Sequence, residues 1–326
     1  MILEGIFNTI HMLHVNDLQT TFISKKESVT AVDGVSLRIP KGKVVGLVGE
    51  SGSGKSVTAY SIMGLLPAHA KRTGEILWKG QDLTTLSDKK LQSIRGKEIA
   101  LILQNPLAAL NPVFTVGNQL VETIMLHHQV SKEEATARAI ELLKRVQIPD
   151  PEKRFYQYPH EFSLGMCQRV MIALTVSMMP ELLIADEPTA SLDVTVQAQI
   201  MLLLKEIQAQ DNMSILFISH DLGLIAQNCD YVYIMYLGHI VEEGAPSAIF
   251  HNPQHPYTQA LIHAIPDPNP DNKMETLPIQ GDIPSPMNIP KGCRFHTRCP
   301  KALDRCKTDV PIMQKKGDSI SACWLE

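Results

Sequence analysis

One short run of residues has the types and the spacing needed to bind the phosphates of a nucleotide. Residues 49–56 read GESGSGKS, which fits the pattern G-x-x-x-x-G-K-[ST]. Glycines let successive backbone N–H groups point at a phosphate with no Cβ in the way. The lysine suits the β- and γ-phosphates, and the serine hydroxyl suits Mg²⁺. The predicted phosphate-binding residues are Gly49, Ser51, Gly52, Ser53, Gly54, Lys55 and Ser56.

The segments on either side of this loop predict the context that it requires. Residues 43–48 are apolar and β-branched, as in a buried strand, and residues 56–66 have helical spacing up to Pro67. A helix that begins at the loop directs its partial positive charge at the phosphate. A glycine-rich turn that binds nothing is the alternative, and the flanking elements disfavour it.

Polar side chains also follow apolar runs elsewhere in the chain. Runs that predict buried strands end in Asp186 and Glu187, in Gln104 and in His220. Ligands of open α/β sheets bind beyond the carboxyl ends of strands. Asp186 suits Mg²⁺, and Glu187 suits polarising the attacking water. We expect Gln104 to contact that water or Mg²⁺, and His220 to contact the γ-phosphate. Considered alone, Gln104 and the pair of Asp186 and Glu187 would be interpreted as solvated surface residues, but the phosphate loop upstream favours the functional interpretation.

The composition limits the class of protein. The chain has 326 residues, of which 44% are hydrophobic and 20% charged, as in a folded protein of one large or two ordinary domains. Its formal net charge of −4 argues against nucleic acid as the main partner. No run reaches the ~18 apolar residues of a spanning helix. The N-terminus lacks a signal-peptide pattern, so we expect a cytosolic protein.

Other regions predict elements around this sheet. Residues 13–40 alternate apolar and polar, which predicts antiparallel strands. Phe22 lies there, and its ring suits either stacking on a nucleotide base or a place in the core. Residues 115–146 have helical spacing, with a capping box that starts at Ser131. Prolines after residue 265 favour an extended linker and a domain boundary.

Together these motifs resemble a known family. With the segments around Ser163 and Asp193, they occur in the order found in ABC transporter ATPases. The chain resembles, over essentially its whole length, the ATP-binding subunit of bacterial oligopeptide/dipeptide (peptide/nickel) importers. The most specific parts are QNP at 104–106, LNP at 110–112, IADEPT at 184–189, HPYTQAL at 255–261 and the C-terminal cysteines.

The resemblance implies a fold and an activity. The fold is α/β, a P-loop NTPase of ABC type, in which a mixed sheet core carries an antiparallel β subdomain and an α-helical subdomain. Residues 1–265 would form the nucleotide-binding domain, with a helical lobe at about 105–180, and residues 266–326 a Pro-rich linker and a small Cys-rich module. The implied activity is hydrolysis of ATP, with Mg²⁺, coupled to import of peptides.

The resemblance also implies partners and a location. Two ATPase subunits would hold each nucleotide between the phosphate loop of one and the signature segment of the other. Ser163 and the Gly165 backbone would contact the γ-phosphate held by the partner chain, and Asp193 is a further predicted nucleotide-binding residue. Two membrane permease subunits would dock on the Gln104 loop and the helical lobe, at the cytoplasmic face of the inner membrane. An external solute-binding protein would select the solute.

The signature segment departs from the family pattern. The usual Ser-Gly-Gly is Ser163-Leu164-Gly165 here, and Cys167 replaces the usual Arg. The branched Leu164 side chain would obstruct the partner's nucleotide or change the local backbone. Importers of this family often contain two different ATPase subunits, so the resemblance implies a heterodimer with a paralogous ATPase. We expect the site that uses this altered signature to turn over more slowly.

Four cysteines lie close together near the C-terminus, at Cys293, Cys299, Cys306 and Cys323. Four thiolates suit tetrahedral zinc or a [4Fe–4S] cluster, and disulfides are disfavoured in the cytosol. The spacings lack the C-x2-C pairs usual for zinc. The resemblance implies a structural [4Fe–4S] cluster, and zinc or free thiols are the alternatives.

Other functions stay open at this point. The same ATPase would also suit an importer of nickel chelates or other small solutes. A soluble ABC ATPase that acts on nucleic acid or the ribosome is a further alternative, which the acidic balance opposes. A third hypothesis makes the cysteine segment a redox sensor that controls ATP hydrolysis.

Overall fold

The structure is a computed structural model that describes residues 11–24, 27–265 and 281–325. The chain divides into two compact units. Unit 1 combines Met1–Leu86 with Phe217–Glu326, and unit 2 is Ser87–Leu216. The predicted domain boundary at 265/266 and the first part of the predicted linker lie outside the described residues.

The elements are given in chain order. The strands are β1 (His11–Ile23), β2 (Ser28–Pro40), β3 (Val44–Val48), β4 (Ala70–Trp78), β5 (Gln81–Asp82), β6 (Ile99–Ile102), β7 (Leu182–Asp186), β8 (Ser214–Ser219), β9 (Tyr231–Tyr236), β10 (His239–Gly244), β11 (Gln314–Lys316) and β12 (Ser319–Ser321). The helices are α1 (Lys55–Met63), α2 (Asp88–Ile94), α3 (Pro106–Ala109), α4 (Val116–His127), α5 (Lys132–Arg145), α6 (Pro151–Arg154), α7 (Leu164–Val176), α8 (Val194–Asp211), α9 (Leu222–Asn228), α10 (Pro246–His251) and α11 (Pro256–His263).

Unit 1 contains the antiparallel sheet that the alternating N-terminal sequence predicts. Its strands follow the order β2-β1-β4-β5, and β1 pairs antiparallel with both β2 and β4. Leu13, Val15 and Leu18 of β1 are fully buried. Leu13 and Val15 have the period-2 spacing of a strand with one buried face, and the register irregularity between Val15 and Leu18 shifts the buried positions to Leu18.

Unit 1 also contains a mixed sheet that carries the phosphate loop. Its strands follow the order β11-β12-β10-β9-β3. The pairing of β3 with β9 is parallel, and β10 pairs antiparallel with β9 and with β12. Val45, Leu47 and Val48 of β3 are fully buried, as expected of a parallel strand that is covered on both faces. The C-terminal strands thus extend the sheet that holds the loop.

Unit 2 combines parallel strands with helices. Strands β6 and β7 pair in parallel, and the apolar residues of β7 are fully buried. The predicted helical stretch at 115–146 forms α4 and α5, and Ser131 Oγ caps α5 by accepting from the Glu134 N–H at 3.1 Å. Strand β8 begins in unit 2 and ends in unit 1. Among the helices of the described ranges, none combines the length and the hydropathy that crossing a bilayer requires.

Candidate functional site

The phosphate loop connects β3 to α1 and depends on glycine at several positions. Gly52 and Gly54 have φ of 79° and 106°, in the left-handed region that favours glycine. A Cβ on Gly49 would lie 2.1 Å from the Met235 carbonyl oxygen, and one on Gly54 would lie 2.5 Å from the Ala31 carbonyl oxygen. No larger residue fits at Gly49 or Gly54, so the loop keeps the bare backbone that phosphate binding needs.

Lys55 places its charge inside the loop. Its side chain is buried, with 4% exposed, and its Nζ donates to the carbonyl oxygens of Gly49 at 2.7 Å and Glu50 at 3.0 Å. The Ser53 carbonyl accepts from the Gly238 N–H at 2.8 Å, which ties the loop to the turn after β9. Contacts within unit 1 therefore form the loop and hold the Lys55 side chain inside it.

Phe22 and His220 also belong to unit 1. Phe22 is half-buried near the end of β1, and its ring centroid lies 5.9 Å from that of His69. His220 is exposed and follows β8 directly, just before Asp221, which caps α9 by accepting from the Leu224 N–H at 3.1 Å. Base stacking by Phe22 and a γ-phosphate contact by His220 stay predictions.

In unit 2 the structure brings together two predicted residues that are far apart in sequence. The Gln104 amide Nε2 donates to Glu187 Oε2 at 2.9 Å. Glu187 has a φ of 48°, a left-handed conformation that is uncommon for non-glycine residues. Asp186, which precedes it at the end of β7, is buried with 2% exposed. The turn and the amide together orient the Glu187 carboxylate.

The predicted signature residues meet at the starts of two helices of unit 2. Ser163 is exposed and caps α7, where its Oγ accepts from the Met166 N–H at 3.3 Å. Asp193 is exposed and caps α8, where its Oδ1 accepts from the Val196 N–H at 3.0 Å. A Cβ on Gly165 would lie 2.8 Å from Val196 Cγ1. Gly165 thus lets the two helix starts approach closely.

The two departures from the family pattern have different environments. Leu164 is the first residue of α7 and is partly exposed. Cys167 is fully buried, and its Sγ donates to the Pro159 carbonyl at 3.4 Å. Burial raises the pKa of the Cys167 thiol. Of the two, Leu164 is the one whose side chain reaches the surface of unit 2.

The C-terminal cysteines do not form the predicted cluster. Cys293, Cys299, Cys306 and Cys323 are free thiols. Among the described residues, no group of three or more His, Cys, Asp or Glu could hold a metal ion. Burial raises the pKa of Cys293 to about 11 and also raises that of Cys299 and Cys323, which favours the neutral thiol over the thiolate that metals bind. The prediction of an iron–sulfur cluster is therefore wrong, and the zinc alternative finds no site in this part of the chain either.

Sequence reasoning missed the residues that hold Glu50, inside the phosphate loop. The Glu50 N–H donates to the Tyr257 hydroxyl at 2.9 Å. Its carboxylate accepts from both terminal nitrogens of Arg298, at 2.7 and 3.1 Å. The signal in the sequence was an acidic residue within a loop that binds negatively charged phosphates, because such a residue requires a nearby cation. The sequence could not show which cation this is.

Family profiles and solved structures match the chain. A profile described as ABC transporter matches residues 32–190, and one described as oligopeptide/dipeptide transporter, C-terminal region, matches residues 241–306. A dimeric ATP-binding cassette in a post-hydrolysis state, bound to ADP and Pi, has 27% identity and a TM-score of 0.65, over 72% of this chain and 99% of that one. The cbiO1 protein of Clostridium perfringens, part of the ABC transporter complex cbiONQ, has 28% identity and a TM-score of 0.64, over 74% and 91%. Together with the relatives described next, these matches show that the chain belongs to the ATP-binding subunits of ABC transporters, which are ATPases.

Relatives at higher identity narrow this class. The oligopeptide transport ATP-binding protein AppD of Bacillus subtilis is 46% identical over 96% of both chains. The oligopeptide transport protein OppD of Salmonella typhimurium is 43% identical over 96% of this chain and 93% of its own. The dipeptide transport protein DppD of Escherichia coli is 45% identical over 94% of both. The predicted family and the predicted α/β ABC ATPase cassette with a mixed sheet are therefore confirmed.

Proposed function

We propose that this chain hydrolyses ATP to drive import of dipeptides or oligopeptides across a bacterial cytoplasmic membrane. The match of residues 241–306 to a profile described as the C-terminal region of oligopeptide/dipeptide transporters carries this proposal. Relatives named for oligopeptide and dipeptide transport support it. A nickel-chelate or other small-solute importer is the second candidate.

The phosphate loop supports ATP as the nucleotide substrate. Its glycines leave the backbone open to the phosphates, and Lys55 supplies a buried positive charge. We propose that the loop holds the β- and γ-phosphates, that Phe22 stacks on the base and that His220 contacts the γ-phosphate.

The donor set also suits Mg²⁺. Each considered by itself, Ser56 and Asp186 carry the hydroxyl and carboxylate oxygens that a hard cation prefers. The Gln104 amide donates through Nε2 to Glu187, so its carbonyl oxygen can accept from water or bind the metal. When bound, Mg²⁺ would neutralise charge that develops on the phosphate oxygens.

Hydrolysis then rests on Glu187. We assign it the role of polarising the attacking water, with Gln104 fixing the direction of its carboxylate. The strained Glu187 backbone supports this role, since such conformations concentrate at functional sites.

The function requires partners. We propose a dimer with a paralogous ATPase, in which Ser163, Gly165 and Asp193 face the partner's nucleotide. We also propose docking of two permease subunits on the Gln104 loop and on a helical lobe at about 105–180, which places the chain at the cytoplasmic face of the membrane. An external binding protein would deliver the solute. Residues 1–265 and 266–326 would be the two domains.

Co-expression of the chain with a partner ATPase and two permease subunits tests the proposal. We expect ATPase activity and uptake of a di- or oligopeptide by vesicles that contain the complex. Glu187→Gln in this chain should remove most of the activity, about 100-fold, while ATP binding persists. Uptake of a nickel chelate in place of peptides would favour the second candidate. ATPase activity that RNA stimulates, with no effect of the permeases, would contradict both.

A further inference from the structure

A carboxylate lies inside the loop that receives the most negative part of the nucleotide. Glu50 is the second residue of the phosphate loop, and its backbone carbonyl accepts from Lys55 Nζ at 3.0 Å. Its side chain is 23% exposed, so water screens its charge only in part. An uncompensated charge at this position would repel the phosphates and weaken ATP binding.

Arg298 compensates that charge. Its guanidinium forms a bidentate pair with the Glu50 carboxylate, at 2.7 and 3.1 Å, which is the strongest geometry for such a pair. Arg298 is buried, with 7% exposed, and it also donates to the Gly281 carbonyl at 3.3 Å and to the Tyr236 hydroxyl at 3.4 Å. Burial alone would lower the pKa of Arg298, but the hydrogen bonds to Glu50 and Tyr236 raise it above its usual value. The guanidinium is therefore fully charged.

A cluster of aromatic rings holds Arg298 in place. Tyr236 at the end of β9, Tyr257 in α11 and Phe295 are each no more than 1% exposed, and their ring centroids lie 4.6 to 5.4 Å apart. The Tyr257 hydroxyl is the group that accepts from the Glu50 N–H. One packed cluster thus fixes both the side chain and the backbone of Glu50.

A second arginine fastens the same segment nearby. Arg294 forms an ion pair with Asp33 and donates to the Leu237 carbonyl. Leu237 immediately precedes Gly238, whose N–H donates to Ser53 of the phosphate loop at 2.8 Å. The segment around residues 294–298 therefore reaches the loop by two routes.

We propose that Arg298 is a positioning residue for ATP binding, which neutralises Glu50 and, with Tyr257, fixes the loop residue that hydrogen-bonds Lys55. This inference rests on the proposed function, since it requires that the loop bind ATP. It gives the segment after α11 a role in the nucleotide site.

ATP binding by the full-length chain tests the inference, measured as the Kd of MgATP by calorimetry. Arg298→Gln leaves Glu50 charged and unpaired, and we expect Kd to rise about tenfold. The double variant Glu50→Gln/Arg298→Gln removes both charges, and its Kd should return to within about threefold of wild type. A purely structural role for Arg298 predicts no such recovery.

Arg305→Gln is the matched control. Arg305 lies in the same C-terminal segment, but its guanidinium stacks on the Trp324 ring at 3.5 Å. Its removal should leave Kd unchanged. An equal loss of affinity in both variants would overturn the inference, because any disturbance of the segment would then suffice.

Milder variants keep the test decisive if Arg298→Gln fails to fold. Arg298→Lys keeps the positive charge but loses the bidentate contact with the Glu50 carboxylate, and Tyr257→Phe loses only the hydroxyl. Each variant should raise Kd about threefold. Wild-type affinity in both variants would overturn the inference. Failure of the wild-type chain to bind MgATP would instead contradict the proposed function itself.

Discussion

The phosphate loop and the signature segment differ in how firmly contacts within their own unit hold them. In the loop, Lys55 and Ser53 are buried, with 4% and 3% exposed, and contacts from Gly238, Tyr257 and Arg298 fix the backbone and Glu50. In the signature segment Ser163 and Asp193 are exposed, and each hydrogen-bonds the first turn of its own helix. The loop is thus pre-organised within unit 1, and the signature segment is an open surface of unit 2.

This difference indicates which of the two segments can act in the isolated chain and which needs a partner ATPase. A pre-organised loop loses little conformational entropy when a nucleotide binds. A serine hydroxyl can accept two hydrogen bonds and donate one, so capping α7 leaves Ser163 with capacity for a second ligand. We therefore expect the isolated chain to bind ATP through its loop, and the signature segment to act only in the assembled pair.

Lys55→Ala should give the largest effect, and it should appear in the isolated chain. The substitution removes the buried charge that suits the phosphates, so we expect ATP affinity to fall about 100-fold. Calorimetry with MgATP measures it. The variant must keep its melting temperature within a few degrees of wild type for the loss to report on binding. Normal affinity would show that the loop is not the nucleotide site.

Ser163→Ala should matter only after assembly. Removal of an N-cap costs about 1 kcal/mol of stability. Ser131→Ala is the matched control, because Ser131 caps α5 in the same unit with the same Ser-to-N–H geometry. Both variants should lose similar stability in denaturant unfolding, and only Ser163→Ala should lower the ATPase rate of the pair, about tenfold. Equal rates in the two variants would show that Ser163 is only a helix cap.

Leu164→Gly should sharpen the comparison by a gain of activity. If the leucine side chain obstructs the partner's nucleotide, then Leu164→Ala and Leu164→Gly should both raise turnover at that site, about threefold. If slow turnover instead results from the backbone conformation at residue 164, only Leu164→Gly should raise it. Adding Glu187→Gln to this chain silences the site that uses its own loop, so the remaining ATPase activity reports the site that uses Leu164. No gain in either variant would remove the proposed asymmetry.

Local patterns predicted the parts of the site whose geometry is local. The glycines of the loop, the buried strands before Asp186 and Gln104, and the Ser131 cap are set by neighbours in sequence. The pair of Glu50 and Arg298 spans 248 residues, and nothing in the sequence around either residue selects the other.

The cysteine prediction failed for a related reason. Spacing alone indicated four ligands, but ligation depends on which way the thiols point and on their ionisation, and burial raises the pKa of three of them. The same holds for Cys167, which lies in the signature segment but has its side chain fully buried in unit 2. Sequence predicts residues better than it predicts the direction of side chains.

A further predicted effect is one of pH, and it acts on the stability of the unit that holds the loop. Glu243 of β10 lines a cavity of about 450 Å³ in unit 1, and burial raises its pKa from 4.5 to about 7, despite the Tyr231 hydroxyl that donates to it at 3.3 Å. His239 of the same strand also lines this cavity, and burial and Arg294 lower its pKa to about 4, although Asp33 opposes this. In unit 2 the carboxyls with resolved shifts, Glu133 and Glu152, have lowered pKa values, so they do not titrate near neutral pH.

The signs of these shifts define the measurement. Below pH 4.5 Glu243 is protonated in both the folded and the unfolded chain and costs no stability. As pH rises from 4.5 to about 7, it ionises first in the unfolded chain, so the free energy of unfolding falls. His239 has the opposite sign and destabilises the fold as pH falls from 6.5 to about 4, which masks the Glu243 slope in the wild type. Comparison of Glu243→Gln with wild type at fixed pH separates the two. The variant should be more stable by about 2 to 3 kcal/mol at pH 8 and equal at pH 4.

Tryptophan fluorescence assigns this change to one unit. The chain has 2 tryptophans, and both Trp78 and Trp324 lie in unit 1. Denaturant unfolding followed by their emission therefore reports the unit that contains Glu243 and the phosphate loop. If Glu243→Gln lost stability at pH 8, Glu243 would be charged and paired in the folded unit. A gain would show that ionisation of the buried Glu243 destabilises the folded unit 1 at this pH.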